Sequence, residues 1–177
     1  MAKAAHGRHR DDVPRAAREV RVVNRRALHR LCDHRRVRVE TIHLGTDEGG
    51  ELRPVDTVRA VAGKGLDGDR HFRDRGAKPG QALTLVEAEN VEAVGLPAGA
   101  TRRQVTTRGV DLNALVGKRF RVGEVECFGV ELCEPCRHLQ SMTRPGIIKE
   151  LTHRAGINAD VLTDGTISVG DAVIALS

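Results

Sequence analysis

Two cysteines three residues apart, Cys133 and Cys136, sit in the segment Leu132-Cys133-Glu134-Pro135-Cys136-Arg137-His138-Leu139. Pro135 fixes its own φ and biases Glu134 toward extended geometry, so the thiols stand on a stiff turn. Arg137 and His138 bring positive charge, which favours the thiolate, the form that attacks electrophiles and binds soft metals. The residues alone leave several chemistries open. A structural zinc site needs a second ligand pair, and only Cys32, Cys127 and scattered histidines remain to supply it. A dithiol redox pair fits the C-x-P-C pattern, but no βαβ setting and no helix start are visible around it. A single active thiolate is the third reading, with Cys136 as nucleophile, sulfur carrier or metal ligand. Against all three stands a pair of buried structural cysteines, which Pro135 and the flanking charges disfavour. Cys127 lies in an apolar run and reads as core.

Two other stretches are suited to an anion. Gly65-Leu66-Asp67-Gly68-Asp69-Arg70-His71 lies in a glycine-rich loop over 63–80. Glycines let backbone approach a ligand, and Arg70 offers a bidentate fork to phosphate or carboxylate, with Asp69 placed to orient it. Arg102-Arg103-Gln104 falls in an expected strand over 101–107. Alternation there sends Arg102 and Gln104 to one face, able to hold an anion and a heteroaromatic edge, and Arg103 to the other. A charged surface loop and a solvated strand face are the plainer readings of the two stretches. His138 and His153 are further acid–base candidates, each weighed against a purely structural role.

The totals narrow the setting. The chain has 177 residues, 40% hydrophobic and 30% charged, with three Phe and neither Trp nor Tyr. A core of Val, Leu, Ile and Ala follows, and the scarcity of aromatics argues against stacking platforms for single-stranded nucleic acid. Residues 1–36 carry eleven Lys/Arg against four Asp/Glu, whereas residues 37–177 carry eighteen against twenty. The basic character therefore belongs to an N-terminal extension, expected to be mobile, and the folded domain is placed at 37–177. No run of about 18 apolar residues suggests a membrane span. Four cysteines are too few for a disulfide scaffold, so reduced thiols in the cytoplasm are expected.

The elements that must position these residues are short. Strands are expected over 37–44, 55–61, 81–86, 101–107, 119–122, 125–132, 159–163, 166–169 and 173–176. Helices are expected over 87–94, opened by a Thr84/Glu87 capping box, and over 147–154, with one turn over 112–116 and a basic helix over 16–31. Without βαβ alternation, this is a mainly β architecture: a barrel with a few short covering α-helices.

Taken in order, these pieces resemble the MOSC family, the C-terminal domain of molybdenum cofactor sulfurases. The matching stretches are GLDGDRH at 65–71, ALTLVEAE at 82–89, RRQVTTRGVDLNALVGKRFRVG at 102–123, ELCEPCRHL at 131–139, HRAGINADVL at 153–162 and VGDAV at 169–173. The resemblance runs from about Val37 to Leu176 and is to a stand-alone bacterial member, with no attached aminotransferase-like or ferredoxin domain. It implies the MOSC-type β-barrel and makes Cys136 the catalytic thiol, either a persulfide carrier or a molybdenum ligand. It further implies that Arg70, Arg102 and Arg103 hold the phosphate of a molybdenum cofactor (molybdopterin), that Gln104 reads the pterin ring, and that His71 belongs to the same cofactor-binding set. The expected activities are sulfur transfer or a part in molybdenum-dependent N-hydroxyl reduction. Partners would be a cysteine desulfurase-like donor or electron-transfer proteins. The alternatives are a non-catalytic module for an anionic or sulfurated metabolite and a C-x-P-C dithiol oxidoreductase. Pyridoxal phosphate, a family association, is not expected on this chain, which shows no Schiff-base lysine motif. Two departures stand out: Gln104 replaces the usual Asn, and Ala155 replaces a glycine, which would strain a backbone with φ > 0.

Overall fold

A computed structural model of the chain describes residues 37–47 and 49–176. The expected extension over 1–36, with its helix and Cys32, lies outside the described residues.

Strand β1 (Arg38–Gly45) opens the domain and pairs with both β2 (Leu52–Val55) and β6 (Val105–Arg108). Plain alternation from Val39 would bury Thr41 and expose Ile42. Instead the register against β6 shifts between Val39 and Thr41, and this bulge lets Val39, Ile42 and Leu44 all face the core. β2 is an edge strand, where Pro54 sits without removing a central ladder donor. β3 (Thr57–Val61) pairs with β4 (Gly65–Leu66) and β10 (Gly165–Ser168) in a separate three-stranded sheet.

β5 (Leu83–Glu87), α1 (Ala88–Ala93) and β6 form a parallel βαβ unit. With β7 (Arg119–Val122), β8 (Val125–Leu132), β9 (Ile157–Val161) and β11 (Val173–Ala175) they complete an eight-stranded sheet, ordered β11-β7-β8-β9-β5-β6-β1-β2. The sheet curls until β1 meets the start of β11. Arg38 and Ala172 form an isolated bridge, and the Val39 N–H donates to the Asp171 carbonyl at 2.8 Å. The result is a mainly β, barrel-like wall around an aliphatic core in which Phe120 is the largest fully buried side chain. A smaller cluster of Leu139, Ile147, Leu151 and Ala155 holds α2 (Arg137–Met142) and α3 (Ile147–Leu151) together beside the sheet.

Several expectations change. Eleven strands appear among the described residues, because β2 and the two-residue β4 fall in stretches read as turn and loop. The Thr84/Glu87 capping box is not made: Thr84 stays in β5, and Glu87 precedes α1 without a side-chain cap. The Glu87 carboxylate instead accepts from the Leu112 N–H at 3.0 Å and from the Asn90 amide. The turn expected over 112–116 is a 3-10 turn at Asn113–Leu115. α2 was not foreseen, since Pro135 hides a helix that begins only after Cys136, whose φ of −129° and ψ of 172° are extended. Arg102 and Arg103 precede β6 rather than lying in it, and Arg102 has φ +59°, which breaks the expected alternation. Ala155 is free of positive φ; that burden falls on His153 at +59° and Gly156 at +100°.

Candidate functional site

The loop between β4 and β5 and the β8–α2 turn meet around a cavity of about 440 Å³. Its lining includes Arg70, His71, Arg73, Arg102, Arg103, Cys133, Cys136 and His138, with Gln81, Thr84, Thr101 and Asn158 supplying uncharged polar groups. The volume lies in the range, roughly 300–1,000 Å³, of sites that take small molecules and cofactors.

Asp69 positions the loop that carries Arg70. It is 7% exposed, and its carboxylate accepts from the Gly45 N–H at 3.0 Å, the His71 N–H at 2.9 Å and Gln104 Nε2 at 2.8 Å. These bonds tie the loop to the end of β1 and occupy Asp69, so it forms no hydrogen bond to either neighbouring arginine. Gln104 is buried behind the cavity wall, and Thr84 engages its Oε1 by N–H at 2.8 Å and by hydroxyl at 3.3 Å. Five of the six sequence-selected binding and thiol residues therefore share the cavity, while Gln104 serves Asp69 and Thr84.

The arginines carry their charge into this space without acidic partners. Arg70 donates through Nη1 to the Asp47 carbonyl at 2.9 Å; Arg102 donates to the Gly50 carbonyl at 2.8 Å and, more weakly, to the same Asp47 carbonyl at 3.4 Å. The Arg102 Nε is buried and unpartnered. Burial and the neighbouring Arg70 both hold the Arg102 guanidinium below its usual range, with Asp69 opposing. Among the described residues, none of the ion pairs involves Arg70, Arg73, Arg102 or Arg103. Two adjacent cations sharing a carbonyl, with one N–H orphaned, form a pocket that an oxyanion would complete.

Arg103 plays a different part. Its guanidinium donates to three carbonyls: Ala155 at 3.0 Å, Thr101 at 3.2 Å and Cys133 at 3.0 Å. It thus pins the thiol turn to the segment before β9. The Cys133 N–H donates to the Gly156 carbonyl at 2.8 Å, and the Glu134 carboxylate accepts from the His153 N–H at 2.9 Å and meets His153 Nδ1 at 2.6 Å. These long-range clamps hold the turn in place, and His153 belongs to them rather than to the cavity lining.

The three described cysteines are free thiols in different settings. Cys127 is fully buried in β8, and burial pushes its thiol up to about 12. Cys133 is half-buried; burial raises its thiol, while Arg103 pulls it down. Cys136 is exposed at the cavity. Among the described residues no three His, Cys, Asp or Glu side chains gather as a metal site, and no helix is long and apolar enough to cross a membrane.

His71 Nε2 accepts from Arg70 Nε at 3.0 Å, which places the imidazole proton on Nδ1. Burial lowers the pKa of His71 first, Arg70, Arg73 and Arg102 push the same way, and Asp69 opposes them. With the folded value below the unfolded one, the unfolded chain takes up the proton first as the pH falls. Stability is therefore full above about 6.5 and declines below it. His71→Gln keeps an acceptor for Arg70 but removes this proton. Melting curves of the dialysed protein between about pH 7.5 and 5.5 should show a smaller acid loss in that variant. Some loss should persist through His43, whose pKa burial also lowers. Parallel profiles would remove His71 from the account.

A family model for the MOSC domain matches residues 67–174, a span that takes in the Arg70 loop, Arg102, Arg103 and both cavity cysteines. The chain belongs to the MOSC domain family. Its fold agrees with solved structures. The YuaD protein from Bacillus subtilis superposes with a TM-score of 0.65 at 18% identity, covering 77% of this chain and 93% of that one. YiiM from Geobacillus stearothermophilus gives a TM-score of 0.60 at 19% identity, covering 80% of this chain and 75% of that one. YiiM from Escherichia coli gives 0.58 at 21% identity, covering 80% and 68%. Comparison of this MOSC domain with the curated proteins gives no match. Sequence reasoning missed Arg73, Gln81, Thr84, Thr101 and Asn158 as lining residues; only Arg73, three residues past Arg70, carried a local hint.

Proposed function

We propose that this MOSC domain binds a molybdopterin-type cofactor in the arginine-lined cavity, with the Cys136 thiolate as the protein's ligand to molybdenum. The observation that carries the reading is the adjacent pair Arg70 and Arg102, neither of them ion-paired to a described carboxylate, in one cavity with an exposed thiol. The residues fit the group. The orphaned Arg102 Nε is a ready donor for a phosphate oxygen, and a soft thiolate suits molybdenum. Arg70 and Arg102 would hold the phosphate, His71 would donate from Nδ1, and Thr84, Thr101 and Asn158 would meet the ring edges. Gln104 contributes indirectly by fixing Asp69, and Arg103 by fixing the thiol turn. When bound, the cofactor would supply two-electron oxygen-atom chemistry. The electrons would come from partner redox proteins in a reducing, cytoplasmic setting that keeps Cys133 and Cys136 as thiols.

The exposure of Cys136 favours a second reading, in which the thiol carries a persulfide received from a cysteine desulfurase-like donor. A persulfide mass shift confined to the Cys136 peptide would favour that reading.

Arg102 provides the test of the anion site. Arg102→Ala should weaken retention of the phosphorylated pterin at least about tenfold. Arg102→Lys should lose less, because it keeps the charge and loses only the fork. Wild-type retention by Arg102→Ala would contradict the proposed phosphate position.

A further inference from the structure

Arg70, His71, Arg73 and His138 line not only the main cavity but also an adjoining recess of about 340 Å³. The donors there are not all spent. Arg73 is tethered through Nη1 alone, to the carbonyls of Arg70 at 2.6 Å and Phe72 at 3.1 Å, which leaves Nε and Nη2 for a ligand. His138 is exposed at the first turn of α2.

Charge points the same way. The main cavity and its recess together hold four guanidinium groups. The carboxylate that acts on His71 and Arg102 is that of Asp69. A cofactor phosphate monoester brings roughly −1.5 to −2, so positive charge is left over after it binds. That surplus includes the Arg73 guanidinium, which has no part in the cofactor reading.

We propose that the recess is a second anion subsite, and that the substrate handled beside Cys136 carries its own phosphate monoester. This rests on the cofactor reading for the assignment of Arg102. A tetrahedral phosphate offers three acceptor oxygens to donors on Arg70, Arg73 and His138, more than a carboxylate can. Arg70 lies between the two anions and touches both lobes.

The test is calorimetric titration of phenyl phosphate, inorganic phosphate and acetate into the full chain, with and without the molybdenum cofactor. Phenyl phosphate should bind the loaded wild type at one site, and acetate should not compete. Arg73→Ala should weaken that binding about tenfold, Arg73→Lys should recover part of it, and molybdenum content should be unchanged in both. His138→Ala should also weaken binding. Phenyl phosphate affinity unchanged in Arg73→Ala, or binding abolished once the cofactor is loaded, would overturn the second subsite. Arg73-dependent binding in a chain that retains no molybdenum would support the subsite and count against the cofactor reading alone.

Discussion

Cys136→Ser should abolish molybdenum retention and persulfide formation, while Cys133→Ser should keep most of both. The two thiols share a cavity but not an environment. Cys136 is exposed there, so a hydroxyl in its place perturbs no packing. Cys133 is half-buried at the end of β8, with its N–H and carbonyl held by Gly156 and Arg103. A serine at 133 keeps those backbone bonds and costs on the order of 1–3 kcal/mol if its hydroxyl stays unpaired. A dithiol mechanism, in which one thiol attacks and the other resolves, requires both. Equal loss in the two folded variants, read by metal analysis and peptide mass spectrometry, would therefore favour the dithiol reading over the one proposed.

Gly156→Ala should have the largest effect on stability of any single methyl addition near the site. Gly156 has φ +100°, and a Cβ there would lie 1.9 Å from the Leu85 carbonyl oxygen. Leu85 is fully buried in β5 and pairs with Ile157 of β9, so the backbone it would displace is central to the sheet. The same glycine's carbonyl holds the Cys133 N–H, so the shift would reach the thiol turn. A cost above about 4 kcal/mol places this among the rare, severe substitutions. For a chain of this size it should lower the melting temperature by about 8–16 °C or prevent soluble folding. Gly95→Ala serves as a control: φ is +69° but a Cβ would meet nothing within 4 Å, so only the backbone strain remains. Similar melting temperatures for the two variants would mean that the close approach to Leu85 is not what demands glycine at 156.

Clean alternation made much of the sheet legible in the sequence. Arg119–Val122 and Val125–Leu132 fall where period two and the Gly123 turn place them, because one face is core and the other is solvent. Legibility failed where a local rule yielded to a long-range bond. The bulge in β1 rescues Ile42 from an outward position. Thr84 was read as a helix cap, but it is a partner of Gln104, twenty residues away in the chain. The positive φ at Arg102 turns its guanidinium toward Asp47 and Gly50, a placement no periodicity encodes. The order of the family's sequence stretches selected Arg70, Arg102 and Cys136. Their neutralisation, or lack of it, became visible only with the hydrogen bonds of Asp69 in hand. The Glu134–His153 and Arg103 clamps lie 19 to 52 residues apart in sequence and had no local signal.

The proposed function places a molybdenum-bearing cofactor at Cys136. Elemental analysis of the full chain, purified anaerobically from cells that make the cofactor, measures it directly. Close to one molybdenum per chain is expected, released together with a phosphorylated pterin and missing from Cys136→Ser. Folded wild-type protein without molybdenum or pterin, prepared from cells that load other molybdenum proteins, would contradict it.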